Sequence, residues 1–212
     1  MYKGRQELLK LFNGDQPYWE DVDEALDHGI LVANIAMLLC RELGMDEDFC
    51  NRMGDAGIIH DIGKLQLGDY LYGRQKDALR IEEIKYVRKH PALGYDYLKK
   101  ENIGDEEFRQ SILHHHENYD GSGYPDNIKG TAIPYGSRIL RVCDVYSALV
   151  SERPYRAAFD KNTAMELMID EVKNFDMEMF LALMRVVHMD EFSEILNFVD
   201  YCNSKQHVKE RR

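Results

Sequence analysis

The sequence predicts an all-α domain built from several helices. Apolar residues recur at helical spacing through most of the chain, and no alternating strand pattern of useful length appears. Apolar residues make up 44% of the 212 residues and charged residues 31%, a balance typical of a globular protein. This length is sufficient for one domain with a substantial buried core. We therefore expect a compact multi-helix domain.

The first half of the chain contains four predicted helices. Gly44 suits the end of the first, because glycine readily adopts the left-handed conformation that closes a helix. Pro91 ends the third and opens the fourth, since proline fits only the first turn of a helix. The predicted helices cover residues 24–43, 47–64, 80–90 and 92–100.

Short polar residues and a proline mark the starts of the later helices. An aspartate side chain can accept hydrogen bonds from the amides of a first turn. The predicted starts are Asp105, Pro134, Asp160, Asp176 and Ser193. The helix after Asp105 should carry the histidines at 114–116, and the last helix should end near Tyr201, before a frayed polar tail. Residues 118–133 contain three glycines and a proline and predict a long functional loop.

The charge balance limits the class of partner. There are 27 Lys and Arg residues against 38 Asp and Glu, which gives a net charge of −11. This excess argues against binding to a nucleic-acid polymer or to an anionic membrane. No apolar run is long enough to span a bilayer, no signal peptide is recognisable, and the cysteines are widely spread. We expect a cytoplasmic protein in which any anionic substrate meets a local source of positive charge.

Histidines and carboxylates recur near the expected helix ends. Glu24 and His28 are four residues apart and therefore share a helix face. His60 and Asp61 follow an apolar run, and Asp144 lies among apolar neighbours, where a carboxylate is costly unless it is paired or bound to a cation. Imidazole and carboxylate ligands together suit iron, manganese or zinc. The absence of paired cysteines argues against a structural zinc site.

Each of these features also has a structural explanation. Glu24 and His28 could form a surface pair, and Asp144 could pair with Arg138 or Arg141. The histidine run could lie at a helix end, where the helix dipole favours it. The features taken together favour a catalytic metal site.

Two sequence motifs follow one another along the chain, HDIGK at 60–64 and HHENYDGSGYP at 115–125. The first resembles the HD pair and the second the GYP signature of the HD-GYP subgroup of the HD superfamily of metal-dependent phosphohydrolases. The resemblance continues through IKGTAIPYGSRILRVCDVYSAL and SERPYR, and weakly through NFDMEMF. It implies a compact HD-type helical domain at 21–188, an N-terminal helical extension at 1–20, and a C-terminal helix and frayed tail at 189–212.

The resemblance also implies a set of metal ligands. Asp61 would be the carboxylate that bridges two metals, and Glu24 would permit a third. The implied cofactors are two or three divalent transition-metal ions, with iron or manganese favoured. His114 lies outside the pattern. The implied ligands are Glu24, His28, His60, Asp61, His90, His115, His116 and Asp144.

The activity implied by the resemblance is hydrolysis of cyclic di-GMP, a bacterial second messenger, by a hydroxide held between the metals. The products are the linear dinucleotide and, with further hydrolysis, GMP. Asp61 and Lys64 would be catalytic, and Lys64, Arg153 and Arg156 would hold the substrate phosphates. In similar proteins the loop also contacts regulatory proteins, which implies such a partner here. The loop residues that would line the cleft are Gly121, Tyr124 and Pro125.

The chain departs from the family pattern near the expected substrate cleft. Ser147 stands where an aspartate is usual, and the segment after HDIGK lacks a proline-rich stretch. Substrate choice is therefore more open than metal binding. The alternatives are another cyclic dinucleotide such as 3',3'-cyclic GMP-AMP, another phosphate ester, a binding module without turnover, and oxygen chemistry at a di-iron centre.

Overall fold

The predicted all-α fold is confirmed. The computed structural model describes residues 19–67, 81–153 and 156–209. Extended pairing within these ranges is limited to an isolated bridge between Arg153 and Arg156. The α-helices are α1 Trp19–Glu42, α2 Glu47–Ile59, α3 Ile81–Val87, α4 His90–Lys100, α5 Glu106–Leu113, α6 Tyr135–Val150, α7 Lys161–Asp170, α8 Met177–Val186 and α9 Phe192–Lys209. Short 3₁₀ helices lie at Ile62–Leu67, Gly130–Ala132 and Val172–Asn174.

The predicted helix starts agree well with the structure. Asp105 accepts a hydrogen bond from the amide of Phe108 at 2.9 Å, and Asp176 accepts one from Glu178 at the same distance. Asp160 caps α7 in the same way, and Pro134 directly precedes α6. These starts were predictable because a cap depends on residues close together in the sequence.

Four predicted helix ends were wrong. The third predicted helix, α3, ends at Val87 rather than at His90. α2 ends at Ile59 rather than at Lys64, and residues 62–67 form a 3₁₀ helix instead. α5 ends at Leu113, so the following histidines lie in turns beyond it. The last helix continues to Lys209, past the expected end near Tyr201. The predicted extension at 1–20 lies mostly outside the described residues.

The core forms around α1, which packs against α2, α6, α8 and α9. The last helix shares this core, since its Phe192 and Ile195 side chains are buried. No helix in the described ranges is both long enough and apolar enough to cross a lipid bilayer. The fully buried core residues of α1 are Val32, Ala33, Ile35, Ala36, Leu39 and Cys40.

Glycines bring two pairs of elements into unusually close contact. A methyl group on Gly29 of α1 would lie 2.6 Å from the carbonyl oxygen of Ile58 in α2. On Gly63, in the 3₁₀ helix after α2, it would lie 2.0 Å from the carbonyl oxygen of His90. Both contacts are next to predicted metal ligands. Backbone approach at these glycines therefore sets the spacing between those ligands.

The facing glycines Gly63 and Gly94 give a matched test of this close approach. Gly63→Ala should destabilise the fold by about 2 kcal/mol or more, because backbone atoms cannot move aside as flexible side chains can. Gly94→Ala should be neutral or stabilising by up to about 1 kcal/mol, since a methyl group there meets its nearest neighbour at 3.4 Å inside a helix. Thermal unfolding of both variants measures the difference. Equal melting temperatures would contradict the proposed close contact.

Candidate metal centre

Seven of the eight predicted ligands lie together in two adjacent groups. In each group, one nitrogen or oxygen atom from every residue lies within 4.8 Å of the others. The first, here called the Asp61 group, comprises Asp61, His90, His115 and His116. The second, here called the His28 group, comprises His28, His60 and Asp144.

The two groups form where several helices converge. α1 supplies His28, and α6 supplies Asp144. His60 and Asp61 directly follow α2, and His90 begins α4. His115 and its neighbour His116 lie in the turn after α5. The ligands therefore come from four helices or helix ends besides α1, and tertiary packing alone brings them together.

Three of the histidines are oriented by the same backbone contact. In each, the ring Nδ1 lies within hydrogen-bond distance of the carbonyl three residues earlier. A carbonyl oxygen only accepts hydrogen bonds, so Nδ1 carries a proton, and in the neutral imidazole Nε2 presents a lone pair. The contacts join His60 to Gly57 at 2.7 Å, His90 to Val87 at 2.7 Å and His115 to Ile112 at 2.6 Å.

These lone pairs converge in the buried interior. Nε2 of His90 lies 3.3 Å from Nε2 of His115, and both side chains are buried. Two imidazole lone pairs at this distance repel each other unless a cation lies between them. Nε2 of His60 is also buried and has no hydrogen-bond partner among the described residues. This donor set fits divalent transition-metal ions, which bind neutral imidazole nitrogen.

The carboxylate of Asp61 reaches both groups. Its Oδ1 lies 3.0 Å from Nε2 of His90 and 3.9 Å from Nε2 of His115. Its Oδ2 lies 3.4 Å from Nε2 of His60, which belongs to the His28 group. One oxygen therefore faces each group, which is the arrangement a bridging carboxylate needs.

Asp144 makes a second link between the groups. Its Oδ1 lies 2.9 Å from Nε2 of His28 and 3.7 Å from Nε2 of His60, and its Oδ2 lies 4.0 Å from Nδ1 of His116. The arginine partners considered for Asp144 bind elsewhere. Arg138 pairs with Asp176 and Arg141 with Asn118. The carboxylate of Asp144 is thus directed at histidines.

The pKa shifts of these side chains favour the protonation states that bind metal ions. Burial raises the pKa of Asp61, but the charges of Lys64 and His60 outweigh it and hold that pKa well below the usual range. Burial lowers the pKa of His116 to about 3 and that of His115 well below its usual value. Ionised carboxylates and neutral imidazoles are the forms that bind metals. His60 differs, because Asp61 and Asp144 overcome the effect of burial and raise its pKa.

Glu24 is the predicted ligand that belongs to neither group. It is part of α1, one helical turn before His28, and it is partly buried. Neither group, as found among the described residues, includes it. A role for Glu24 at a third ion stays a prediction.

The predicted phosphate-binding cations have different surroundings. Nζ of Lys64 lies 2.5 Å from Oδ2 of Asp61, so this lysine belongs to the centre and is not a free surface charge. The positive charge of Arg153 contributes to lowering the pKa of His28, after the larger effect of burial, which indicates that Arg153 lies near the His28 group.

Arg156 caps the end of α6. Its guanidinium donates to the carbonyls of Ala148 at 2.7 Å and Leu149 at 3.1 Å, and it lies over the ring of Phe159. Because the last carbonyls of a helix lack partners within the helix, this contact is a structural one. A contact of Arg156 with substrate phosphate stays a prediction.

The GYP loop, residues 121–125, is attached to His116. The ring of Tyr124 stacks on the His116 imidazole with centroids 4.7 Å apart, and its amide donates to the carbonyl of His116 at 3.2 Å. Arg88 lies over the same tyrosine ring. The family resemblance implied that Gly121, Tyr124 and Pro125 line the substrate cleft, and this stays a prediction. The observed contacts add a role for Tyr124 in orienting His116.

Two glycines allow the backbone of the GYP loop to adopt its observed conformation. Gly121 has a φ of +87°, in the left-handed region that favours glycine. A methyl group on Gly123 would lie 2.5 Å from the carbonyl oxygen of His116. The loop can therefore approach the ligand segment only with glycine at this position.

Two residues that hold the loop were missed in the sequence. Glu117 is buried, and its Oε1 accepts hydrogen bonds from the amides of Asp126 and Asn127. His114, placed outside the ligand pattern, is buried and contacts Asp126 at 3.0 Å. In the sequence, the available signal for both residues was their position next to His115 and His116. Periodicity alone does not reveal which backbone amides a buried carboxylate will contact.

Comparison with known proteins identifies the family. A family model described as the HD domain matches residues 14–179. The chain belongs to the HD domain family. The recognition made from the sequence motifs is therefore confirmed.

Curated relatives of this chain are named as phosphodiesterases of cyclic dinucleotides. The cyclic di-GMP phosphodiesterase response regulator RpfG of Xanthomonas campestris is 35% identical over 73% of this chain and 41% of its own length. The 3'3'-cGAMP-specific phosphodiesterase 1 of Vibrio cholerae is 31% identical over 74% of this chain and 37% of its own. The chain thus spans about two fifths of the length of these curated relatives.

A solved structure shares the fold. Bd1817, an HDG"Y"P protein from Bdellovibrio bacteriovorus, matches with a TM-score of 0.64 and 18% identity, over 78% of this chain and 53% of its own. At this identity the likeness concerns the fold alone. It agrees with the helical architecture described above.

Asp61→Asn tests the bridging role. The substitution keeps the side-chain shape but removes the charge that faces both ligand groups. Metal affinity should fall at least about 100-fold, since even residues that only support a ligand contribute about 10–100-fold. Metal per chain after dialysis, measured by inductively coupled plasma mass spectrometry, reports the loss. Asp96→Asn, which changes an exposed carboxylate on α4, is the matched control, and an equal metal content in both variants would exclude a ligand role for Asp61.

Proposed function

We propose that this HD domain is a metal-dependent phosphodiesterase that hydrolyses a cyclic dinucleotide, with cyclic di-GMP as the preferred substrate. The observation that carries this proposal is the position of the Asp61 carboxylate between two groups of metal-ligating side chains. Two metal ions a few ångströms apart are a recurrent device for cleaving phosphate esters. The names of the relatives supply the substrate class.

Two divalent ions would be held by the seven clustered side chains, with iron or manganese favoured by the mixed nitrogen and oxygen ligands. Such ions lower the pKa of a bound water and neutralise charge on the phosphate oxygens. Glu24 is the proposed source of a ligand for a third ion. Its location one turn before His28 supports this role.

The protein's own side chains would prepare the reaction in three ways. Asp61 contacts histidines of both ligand groups and would fix the position of one group relative to the other. Lys64 places an ammonium group at Oδ2 of Asp61, at the edge where a phosphate would meet the centre. Arg153 adds positive charge on the side of His28. Hydrogen bonds from such cations to phosphate strengthen as negative charge develops in the transition state.

The local charge resolves the conflict between an acidic protein and an anionic substrate. The overall charge of −11 disfavours long polyanions, yet screening limits its reach to about 8 Å at physiological salt. At the centre, the ions and their neighbouring cations would exceed the charge of the carboxylates. A small phosphodiester would therefore bind where a nucleic acid would not.

A second substrate is supported by a specific observation. Relatives at similar identity include both a cyclic di-GMP enzyme and a 3'3'-cGAMP-specific enzyme. Ser147, at a position where the family usually has aspartate, is fully buried. We therefore keep 3',3'-cyclic GMP-AMP as the alternative substrate. The retained ligand set disfavours a module that only binds, and Lys64 at the centre favours phosphate over oxygen chemistry.

A regulatory protein that contacts the GYP loop and a cytoplasmic location also remain proposals. Asp126 and Asn127, which directly follow the loop, are exposed, so a partner could reach them. The contact between this loop and His116 would give such a partner a route to the metal centre.

The activity is tested with purified protein loaded with iron under anaerobic conditions or with manganese. Incubation with cyclic di-GMP should give linear dinucleotide, and Asp61→Asn should lower kcat/KM at least about 100-fold. A parallel assay with 3',3'-cyclic GMP-AMP compares kcat/KM for the two substrates. Product separation by liquid chromatography provides the readout. Tight binding of either dinucleotide without any turnover, in every metal form, would contradict the proposal.

Glu24→Ala tests the third ion. If Glu24 supplies a ligand to it, the metal count per chain should fall by about one while the other ions remain. Metal analysis of anaerobically prepared wild type and variant measures this difference. Glu83→Ala, which changes a carboxylate on α3 outside both ligand groups, serves as control. An unchanged count in Glu24→Ala would remove this role.

A further inference from the structure

Arg141 lies at the edge of the metal centre with a carbonyl of Asn118 as its hydrogen-bond partner. It is part of α6, one helical turn before Asp144. Its Nε and Nη2 atoms both donate to Oδ1 of Asn118, at 3.0 Å and 2.8 Å. This fork fixes the plane of the guanidinium. The remaining terminal nitrogen, Nη1, makes no hydrogen bond to the described residues.

The partner of Arg141 is unusual because it is neutral. Arg138, one turn earlier on α6, pairs with the carboxylate of Asp176 at 2.5 Å. The exposed Arg41 pairs with Glu47 at 2.9 Å. Among the described residues, no carboxylate oxygen lies within 4.0 Å of the guanidinium of Arg141, although its side chain is half-buried. The charge of Asp144 acts on Arg141 only from beyond this distance. A partly buried cation without a direct ion pair is costly unless an anion binds to it.

The charge of Arg141 acts on the centre from the side of the GYP loop. It contributes to lowering the pKa of His116, after the larger effect of burial. It also opposes the rise that burial produces in the pKa of Tyr124. The charge of Asp144 acts on Arg141 in turn, so the ionisable neighbours of Arg141 include His116, Tyr124 and Asp144. Lys64 and Arg153, in contrast, lie beside Asp61 and His28.

We propose that Arg141 is a substrate-binding residue whose Nη1 donates to a non-bridging phosphate oxygen of the cyclic dinucleotide. This inference rests on the proposed function. Asn118 holds the guanidinium so that little side-chain entropy is lost on binding. Together with Lys64 and Arg153, it supplies positive charge on separate sides of the centre. This arrangement suits a substrate with two phosphodiesters better than one with a single phosphate.

The main variants are Arg141→Gln and Arg141→Lys in the metal-loaded protein. A charge-assisted hydrogen bond contributes about 1.5–3 kcal/mol, so Arg141→Gln should lower kcat/KM for cyclic di-GMP about 10- to 150-fold. Arg141→Lys should retain part of the activity. Metal per chain and melting temperature should match the wild type. Arg41→Gln removes a surface arginine thirteen residues beyond His28 on α1 and should leave kcat/KM unchanged.

Asn118→Ala distinguishes substrate contact from loop support. If Arg141 only supports the loop through Asn118, both single variants should lower kcat/KM equally, and the double variant should add nothing. If Arg141 binds phosphate, Asn118→Ala should lower kcat/KM by a clearly smaller factor than Arg141→Gln does. An unchanged kcat/KM in Arg141→Gln, or equal losses in both single variants, would overturn the inference while the wild-type activity still supports the proposed function.

Wild type without turnover of any cyclic dinucleotide would instead contradict the proposed function. Titration with inorganic phosphate, followed by calorimetry, then tests Arg141 separately. Weaker phosphate binding by Arg141→Gln than by wild type and Arg41→Gln would retain Arg141 as an anion-binding residue. Equal binding by the three proteins would overturn it.

Discussion

The metal centre depends on hydrogen bonds between three histidines and backbone carbonyls. His60, His90 and His115 each donate Nδ1–H to the carbonyl three residues earlier. These carbonyls lie at or near the ends of helices, where they have no partner within the helix. The same contact thus satisfies the helix end, fixes the tautomer of the ring and directs the Nε2 lone pair into the interior. Helix ends and ligand positions are therefore a single structural feature in this domain.

Close backbone packing and complementary charge then bring these ligands to a common site. Gly29 and Gly63 allow approach that any side chain would prevent. Asp61 and Asp144 stay ionised despite burial because histidines, and for Asp61 also Lys64, surround them. Without a cation, the lone pairs of His90 and His115 would oppose each other at 3.3 Å. Metal binding should accordingly stabilise the fold as well as supply its chemistry.

Local features of the sequence were predictable, and tertiary ones were not. The caps at Asp105, Asp160 and Asp176 depend on neighbouring residues, and the resemblance to the HD-GYP subgroup implied the seven ligands that the structure brings together. The predicted ends of α2 and α5 lie further along the chain than the observed ends. Packing of Gly63 against His90 and the histidine–carbonyl contacts end these two helices earlier. The helix-capping contact of Arg156 and the neutral partner of Arg141 likewise depend on residues that the fold alone brings near.

Electron paramagnetic resonance of the manganese-loaded protein tests the central claim most directly. Two Mn²⁺ ions bound by the two ligand groups on either side of Asp61 should be magnetically coupled, because the ions of such paired sites are in general about 3.5–4 Å apart. The account predicts a coupled spectrum at two ions per chain, which reverts to that of isolated ions in Asp61→Asn. A spectrum of isolated Mn²⁺ at full loading of the wild type would contradict a centre bridged by Asp61.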